Sequence, residues 1–254
     1  MTDISRTLKQ QRICLVLPTY NNAGTLAEVI DSLLAYTSDI IVVNDGSTDT
    51  TAEILKAYEG RIERITYEVN RGKGYALKQG FRKALEMGFE YALTIDTDGQ
   101  HRAEDIQLFI EEIQRTPGAL IVGSRLLKQK HMPGGNTFAN RFSNFWFCVQ
   151  TGLNFPDTQS GYRLYPLKRM GHMYVVTNRY EAELEMLVRC AWKNISLRAI
   201  PIEVYYAPPG ERVTHFRPFH DFARISLLNT VLVFGAICYG YPVMLCRRIF
   251  KKRL

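Results

Sequence analysis

The chain has 254 residues, 46% hydrophobic and 22% charged, which suits one large folded domain with an appendage and excludes a disordered or low-complexity protein. Its five cysteines, Cys14, Cys148, Cys190, Cys238 and Cys246, are odd in number and never spaced as CxxC, which argues against a disulfide framework or zinc site and for a reducing cytoplasm. The net charge is +7, and eight Lys and Arg against only Glu211 and Asp221 fall after residue 205, so the excess sits in a tail suited to anionic lipid or nucleic acid.

The opening MTDISRTLKQQR has no apolar run of the kind a secretory signal needs. Ile13 to Leu17, stopped by Pro18, reads as a buried strand. Leu26, Val29, Ile30, Leu33 and Leu34 then recur at helical spacing. DIIVVND is a second buried strand, after which Thr48 or Asp49 caps a helix through Ile54, Leu55 and Tyr58. RITYEV is a third strand, and Leu77, Phe81, Ala84 and Leu85 mark the next helix. YALTI is a fourth strand, ending at Asp96. Ile106, Phe109, Ile110 and Ile113 mark a helix, and ALIVG is a fifth strand. After about residue 125 the alternation stops. Phe138, Phe142, Phe145, Trp146 and Val149 form an aromatic helix face. DTQSGYRLYP looks like a loop entering a strand, Leu184, Leu187, Val188 and Ala191 give another helix, and SLRAIPIEVYY reads as extended. From Ile225 to Cys246 there are 22 residues without a charge, interrupted by Pro242.

Short apolar strands alternating with amphipathic helices predict an α/β fold, a mostly parallel sheet with helices on both faces. In such sheets ligands bind beyond the carboxyl ends of the strands. Three polar clusters fall there: Pro18 to Asn21, Asn44 to Ser47, and Asp96 to Asp98. The two aspartates of TIDTDGQH admit three readings. One is a plain Asp-Gly turn. Another is the nucleophile pair of a haloacid-dehalogenase phosphatase, but that motif usually comes first in its chain and continues with Thr, not Gln100-His101. The third is a clamp for Mg²⁺ or Mn²⁺, whose oxygen ligands are shared with a substrate diphosphate. The clamp explains why adjacent acids are tolerated on a rim that already carries Asp45.

VLPTYNN, VVNDGSTDTT, NRGKGYALKQGF, IDTDGQH, VGSR and DTQSGYRLYP, in this order, resemble the family-two glycosyltransferases of the Rossmann-like GT-A fold, most closely the dolichyl- or polyprenyl-phosphate sugar synthases. The resemblance spans about residues 11 to 206. It implies that Pro18, Tyr20 and Asn22 line the nucleoside pocket, that Asp45 contacts the base, and that Lys73 meets donor phosphate. It implies that Asp96 faces the ribose and the metal, which Asp98 and Gln100 help to hold. Arg125 would bind an acceptor phosphate, joined by Arg141 and Arg163. Asp157 would orient or activate the acceptor.

Inversion at an anomeric carbon needs a nucleophile opposite the leaving diphosphate. A hydroxyl acceptor needs a carboxylate base, and Glu181 and Glu183, at either side of an apolar helix face, are candidates beside Asp157. A phosphate acceptor is already anionic and needs only positioning. The sequence leaves this choice open.

The uncharged stretch is long enough to span a bilayer. Ser226, Asn229 and Thr230, the helix-breaking Pro242 and cations at both ends favour a bent helix or helix pair lying in the interface. Arg212 and Arg217, in ERVTHFRPFHDFAR, would meet the lipid phosphate there. A nucleic-acid partner is not expected, because these cations sit beside an uncharged apolar segment. The expectation is a catalytic domain over residues 1–210 and a basic, apolar, membrane-associating tail over 211–254. The expected activity is metal-dependent, inverting transfer from a nucleotide-sugar donor to a lipid-linked acceptor at the cytoplasmic face of the membrane. A hydroxylated lipid or other membrane-borne alcohol is the alternative acceptor to a polyprenyl phosphate.

Overall fold

The computed structural model describes residues 3–125, 134–205 and 218–251. The first half alternates as expected: β1 (Ile13–Thr19), α2 (Ala23–Leu34), β2 (Ile40–Asp45), α3 (Thr51–Lys56), β3 (Glu63–Tyr67), α4 (Lys73–Glu86), β4 (Tyr91–Thr94), α5 (Ile106–Arg115) and β5 (Leu120–Arg125). A short helix α1 (Asp3–Gln10) precedes them, unforeseen in the sequence, and it buries Leu8 completely. The second half brings α6 (Gly134–Thr151), β6 (Arg163–Pro166), α7 (Leu167–Met170), α8 (Glu181–Trp192), β7 (Leu197–Ile202), α9 (Pro218–Gly235) and α10 (Tyr241–Lys251).

One sheet runs β3-β2-β1-β4-β6-β5-β7. All its pairings are parallel except those of β6, which runs antiparallel between β4 and β5. The central strands are apolar on both faces because both faces are covered. Ile13, Leu15 and Leu17 of β1 face one core layer with α1, α2 and α5, while Cys14 and Val16 face the other with α4 and α8. This is the period-2 alternation of a strand read out as two cores. Gly80 brings α4 close to β1, since a Cβ there would come within 2.5 Å of Val16 Cγ1. The parallel strands end on one rim, at Thr19, Asp45, Thr94 and Arg125. β6 begins on that rim, with Arg163 paired to Thr94 and Val122.

The apolar tail is a long helix with one π-helical turn (Ala236–Gly240) between α9 and α10. Tyr241 donates its N–H to Ala236 O, five residues back. Pro242 follows in the first turn of α10, where a missing N–H costs little, so the proline is accommodated by an irregular turn. The tail shares the core of the body. Leu228, Leu232 and Ala236 are buried in one cluster with Phe147 and Trp192. Gly235 and Gly240 let it close on the Trp192 ring, with Cβ positions only 3.0 and 2.5 Å from ring atoms. Asn229, one of the polar residues that speak against a span, is 2% exposed, and its Oδ1 accepts from Gln150 Nε2 at 2.9 Å. The outward face is apolar: Leu227, Val231, Phe234, Ile237, Leu245 and Ile249 are exposed at helical spacing. Arg224–Arg247 is the stretch of the described residues long and apolar enough to cross a membrane, and 28% of an 18-residue apolar window within it is buried.

Candidate active site

The site is built where β4 meets the first residues of β6. In DxD the middle residue is the anchor. Thr97 is 1% exposed, and its Oγ1 accepts from Asn22 Nδ2 at 2.8 Å and lies 3.1 Å from Thr19 Oγ1. Thr25 Oγ1 donates to the Thr97 carbonyl. With Thr97 held inward, Asp96 and Asp98 keep partial exposure on the rim.

Asp96 meets Lys73. The ammonium lies 2.7 Å from Oδ1 and 3.0 Å from Oδ2, and 3.0 Å from Glu183 Oε2 on the other side. Burial disfavours both charges, but each ion outweighs that penalty for its partner. The Asp96 carboxyl is held below its ordinary range and the Lys73 ammonium well above its own. Among the described residues Asp98 has no such cation. Burial first, and then the neighbouring Asp96, push its carboxyl up to about 6, while the Gln100 N–H it accepts at 3.1 Å works the other way. Among the described residues no group of three or more His, Cys, Asp or Glu gathers as a ready-made metal site, but a largely desolvated Asp98 carboxylate beside Asp96 is chemistry that a divalent cation with oxygen ligands would satisfy. Beside them a cavity of about 480 Å³ is lined by Asn22, Thr25, Asp98, Gln100, Arg102 and Tyr205.

Two of the expected donor-side residues are enclosed in this structure. Pro18 is buried within β1, level with Val43. Asp45 is 2% exposed. It accepts the N–H groups of Arg71 and Gly72 at 2.8 and 2.7 Å and Asn70 Nδ2 at 3.0 Å, so it fixes the loop that carries Lys73 and reaches a base only if that loop moves. Burial raises its carboxyl, and these N–H groups only partly offset the rise. Tyr20 and Asn22 stay partly exposed at the end of β1.

On the acceptor side Arg125 leaves the end of β5 and pairs with Asp157, Nε to Oδ2 at 2.7 Å and NH2 to Oδ1 at 2.9 Å. Asp157 is not placed as a base. It is 0% exposed and also accepts from Asn140 Nδ2 and from the N–H groups of Arg125, Gln159 and Ser160. Burial raises its carboxyl, but the bonds and charge of Arg125 outweigh that and hold it below the usual range. Arg163 is enclosed as well. It is fully buried, and its guanidinium donates to the carbonyls of Ser160, Thr158 and Glu183, at 2.6 to 2.8 Å, so it knits the loop to α8. Arg141 is exposed on α6, next to Asn140. Arg212 and Arg217 lie outside the described residues.

Glu181 and Glu183 are buried at the start of α8, 8% and 5% exposed, so neither is a solvated helix edge. Glu181 Oε2 and Glu183 Oε1 have no hydrogen-bond partner among the described residues. Buried carboxylate oxygens without partners are costly, and they mark a place where a ligand's hydroxyls fit. Gly161 escaped the sequence reading. A Cβ there would run into Asp96 Oδ2 and come within 2.7 Å of Lys73 Nζ, so only glycine lets the loop pass so close to the ion pair.

The model of glycosyl transferase family 2 matches residues 14–162. A UDP-N-acetylglucosamine–dolichyl-phosphate N-acetylglucosaminyltransferase of Methanococcus voltae is 31% identical over 216 residues, covering 76% of this chain and 86% of the relative. An undecaprenyl-phosphate mannosyltransferase of Micrococcus luteus is 26% identical, covering 79% of this chain and 86% of the relative. Among solved structures, glucosyl-3-phosphoglycerate synthase of Mycobacterium tuberculosis, in complex with Mn²⁺, uridine diphosphate and phosphoglyceric acid, superposes with a TM-score of 0.69 at 17% identity, covering 92% of this chain and 81% of that one. That likeness bears on the fold and agrees with the expected GT-A architecture. With its motifs on the rim where the sequence expected them, the chain belongs to glycosyl transferase family 2 and is a glycosyltransferase.

Proposed function

We propose that the chain transfers a sugar from a nucleotide-diphosphate sugar to a polyprenyl phosphate, with inversion and with Mg²⁺ or Mn²⁺ bound. The observation that carries this reading is the pair of charged stations on one rim: the aspartates after β4, and Arg125 after β5, locked by a buried carboxylate. The first suits a metal-bound diphosphate and the second a phosphate acceptor. The named substrates of the relatives, dolichyl and undecaprenyl phosphates, support the same acceptor class.

Asp96, Asp98 and Gln100 would hold the cation, which when bound offsets the charge of the departing nucleotide. Asp157 orients Arg125, and Arg125 orients the acceptor. An acceptor phosphate is ionised at neutral pH and attacks without a base. Glu181 and Glu183 are thereby free for another role, in which their unpartnered oxygens accept hydroxyls of the transferred sugar and fix its ring. The exposed apolar row of the tail lies against the lipid, and the basic composition of the sequence after Cys246 suits the anionic headgroups of the cytoplasmic leaflet. Because the opposite face of the helix is packed on the body, an interfacial helix fits this geometry better than a span.

The test is a transfer screen of UDP- and GDP-sugars with Mg²⁺, Mn²⁺ or EDTA, offering polyprenyl phosphate and the matching polyprenol, with the product anomer read by NMR. The expected product is an inverted sugar on the phosphate, lost in EDTA. Transfer to polyprenol in preference to its phosphate overturns the acceptor assignment. Retention of the anomer, or full activity in EDTA, overturns the mechanism.

A further inference from the structure

Lys73 places a positive charge inside the site proposed to hold another. Both oxygens of Asp96 already face its ammonium, at 2.7 and 3.0 Å. Asp98, two residues on, is partly exposed and makes no ion pair among the described residues. Glu183 holds the far side of the ammonium with one oxygen, and its other oxygen is unpartnered. The side chain of Lys73 is 16% exposed and closed in by Gly161. Its backbone is pinned, because Asp45 grips the two residues before it through their N–H groups. The charged end, on a flexible four-carbon stem, can therefore change partners while the loop stays still.

We propose that Lys73 is an exchangeable counter-ion. Without donor it neutralises Asp96. It gives Asp96 up when a divalent cation binds, and it then takes the donor diphosphate as its new partner. The inference rests on the metal-diphosphate reading above and adds a consequence. A cation arriving alone must displace an ammonium that has nowhere as favourable to go. Arriving with a diphosphate, it does not. Metal and nucleotide therefore reinforce each other by more than their direct contact, and the reinforcement is reciprocal.

The experiment is a Mn²⁺ titration of the full chain by electron paramagnetic resonance, without nucleotide and with saturating UDP, and with GDP in parallel. The ratio of the two dissociation constants, corrected for Mn²⁺–nucleotide complexes in solution, is the coupling. In Lys73→Met, Mn²⁺ alone should bind about tenfold tighter and the coupling should shrink by about the same factor. If Mn²⁺ binds tighter both with and without nucleotide, leaving the coupling unchanged, Lys73 is only a fixed charge and the proposal fails. A wild-type measurement covers the case of a variant that does not fold. Acetylation of the Lys73 amine, followed by mass spectrometry, should speed up at saturating Mn²⁺ without nucleotide and slow again when UDP is added. An amine equally protected in all three states also overturns the exchange. Asp98→Asn separates the two layers: if it binds Mn²⁺ with UDP as tightly as wild type, the clamp reading itself falls, whatever Lys73 does.

Discussion

Replacing Asp157 by Asn separates a positioning carboxylate from a catalytic base. The carboxylate accepts from Arg125 N, Nε and NH2, Asn140 Nδ2, Gln159 N and Ser160 N while fully buried. An Asn of the same shape keeps one acceptor oxygen but turns an NH₂ toward groups that can only donate. The cation of Arg125, whose side chain is 15% exposed, loses its counter-charge. Removing one partner of a buried pair costs about 3–5 kcal/mol. For a chain of this length that corresponds to a fall in melting temperature of roughly 6–20 °C. The folded pKa of Asp157 lies below its unfolded value, so its stabilisation is full above the unfolded value and disappears as pH falls through the folded one. The gap between wild type and variant in thermal unfolding should be constant from neutral pH down to about 4 and should close in stronger acid. In kinetics the acceptor KM should rise, since Arg125 is no longer aimed. A variant that melts with wild type, keeps its acceptor KM and loses only kcat, together with the acidic limb of the pH profile, would refute this reasoning and restore Asp157 as a base.

Gly161→Ala should lower activity at least tenfold while leaving the fold intact, because the atoms its methyl meets first are the side-chain ends of the Asp96–Lys73 pair; wild-type turnover in that variant would mean the pair need not stay where it is. Leu232→Ala should cost about 2–5 kcal/mol in denaturant unfolding, as expected of a core leucine, and a cost near zero would show that the tail helix is not packed on the body. Leu227→Asp combined with Phe234→Asp should leave melting unchanged and reduce cosedimentation with anionic vesicles several-fold; unchanged cosedimentation would remove this face from the membrane contact.

The strands were legible because doubly covered strands are plain Val, Ile and Leu runs, and the rim followed because parallel strands share one end. The direction of side chains in loops was not. Arg163 and Asp157 have the right chemistry for phosphate and proton work, yet one faces three carbonyls and the other six donors. A local signal existed for Asp157: an Asp accepting the N–H groups two and three residues on is a turn former, and Asp157-Thr-Gln-Ser has that shape. Lys73 had none, since its partners lie 23 and 110 residues away and only the fold joins them. Within the tail, Asn229 read as a polar interruption, whereas its burial against Gln150 is a tertiary fact invisible to periodicity.

The antiparallel strand β6 has a metric consequence. It separates β4, which leads into the aspartates, from β5, which ends at Arg125, so the two stations stand two inter-strand steps apart, on the order of 10 Å. That interval is set by the hydrogen-bond ladders of a sheet, the least compliant part of the molecule, and not by the loops above it. On the proposed reading the sheet works as a caliper. The separation of leaving and attacking phosphates is fixed in advance, and differences among sugars must be absorbed by the side chains above the gap, never by its width.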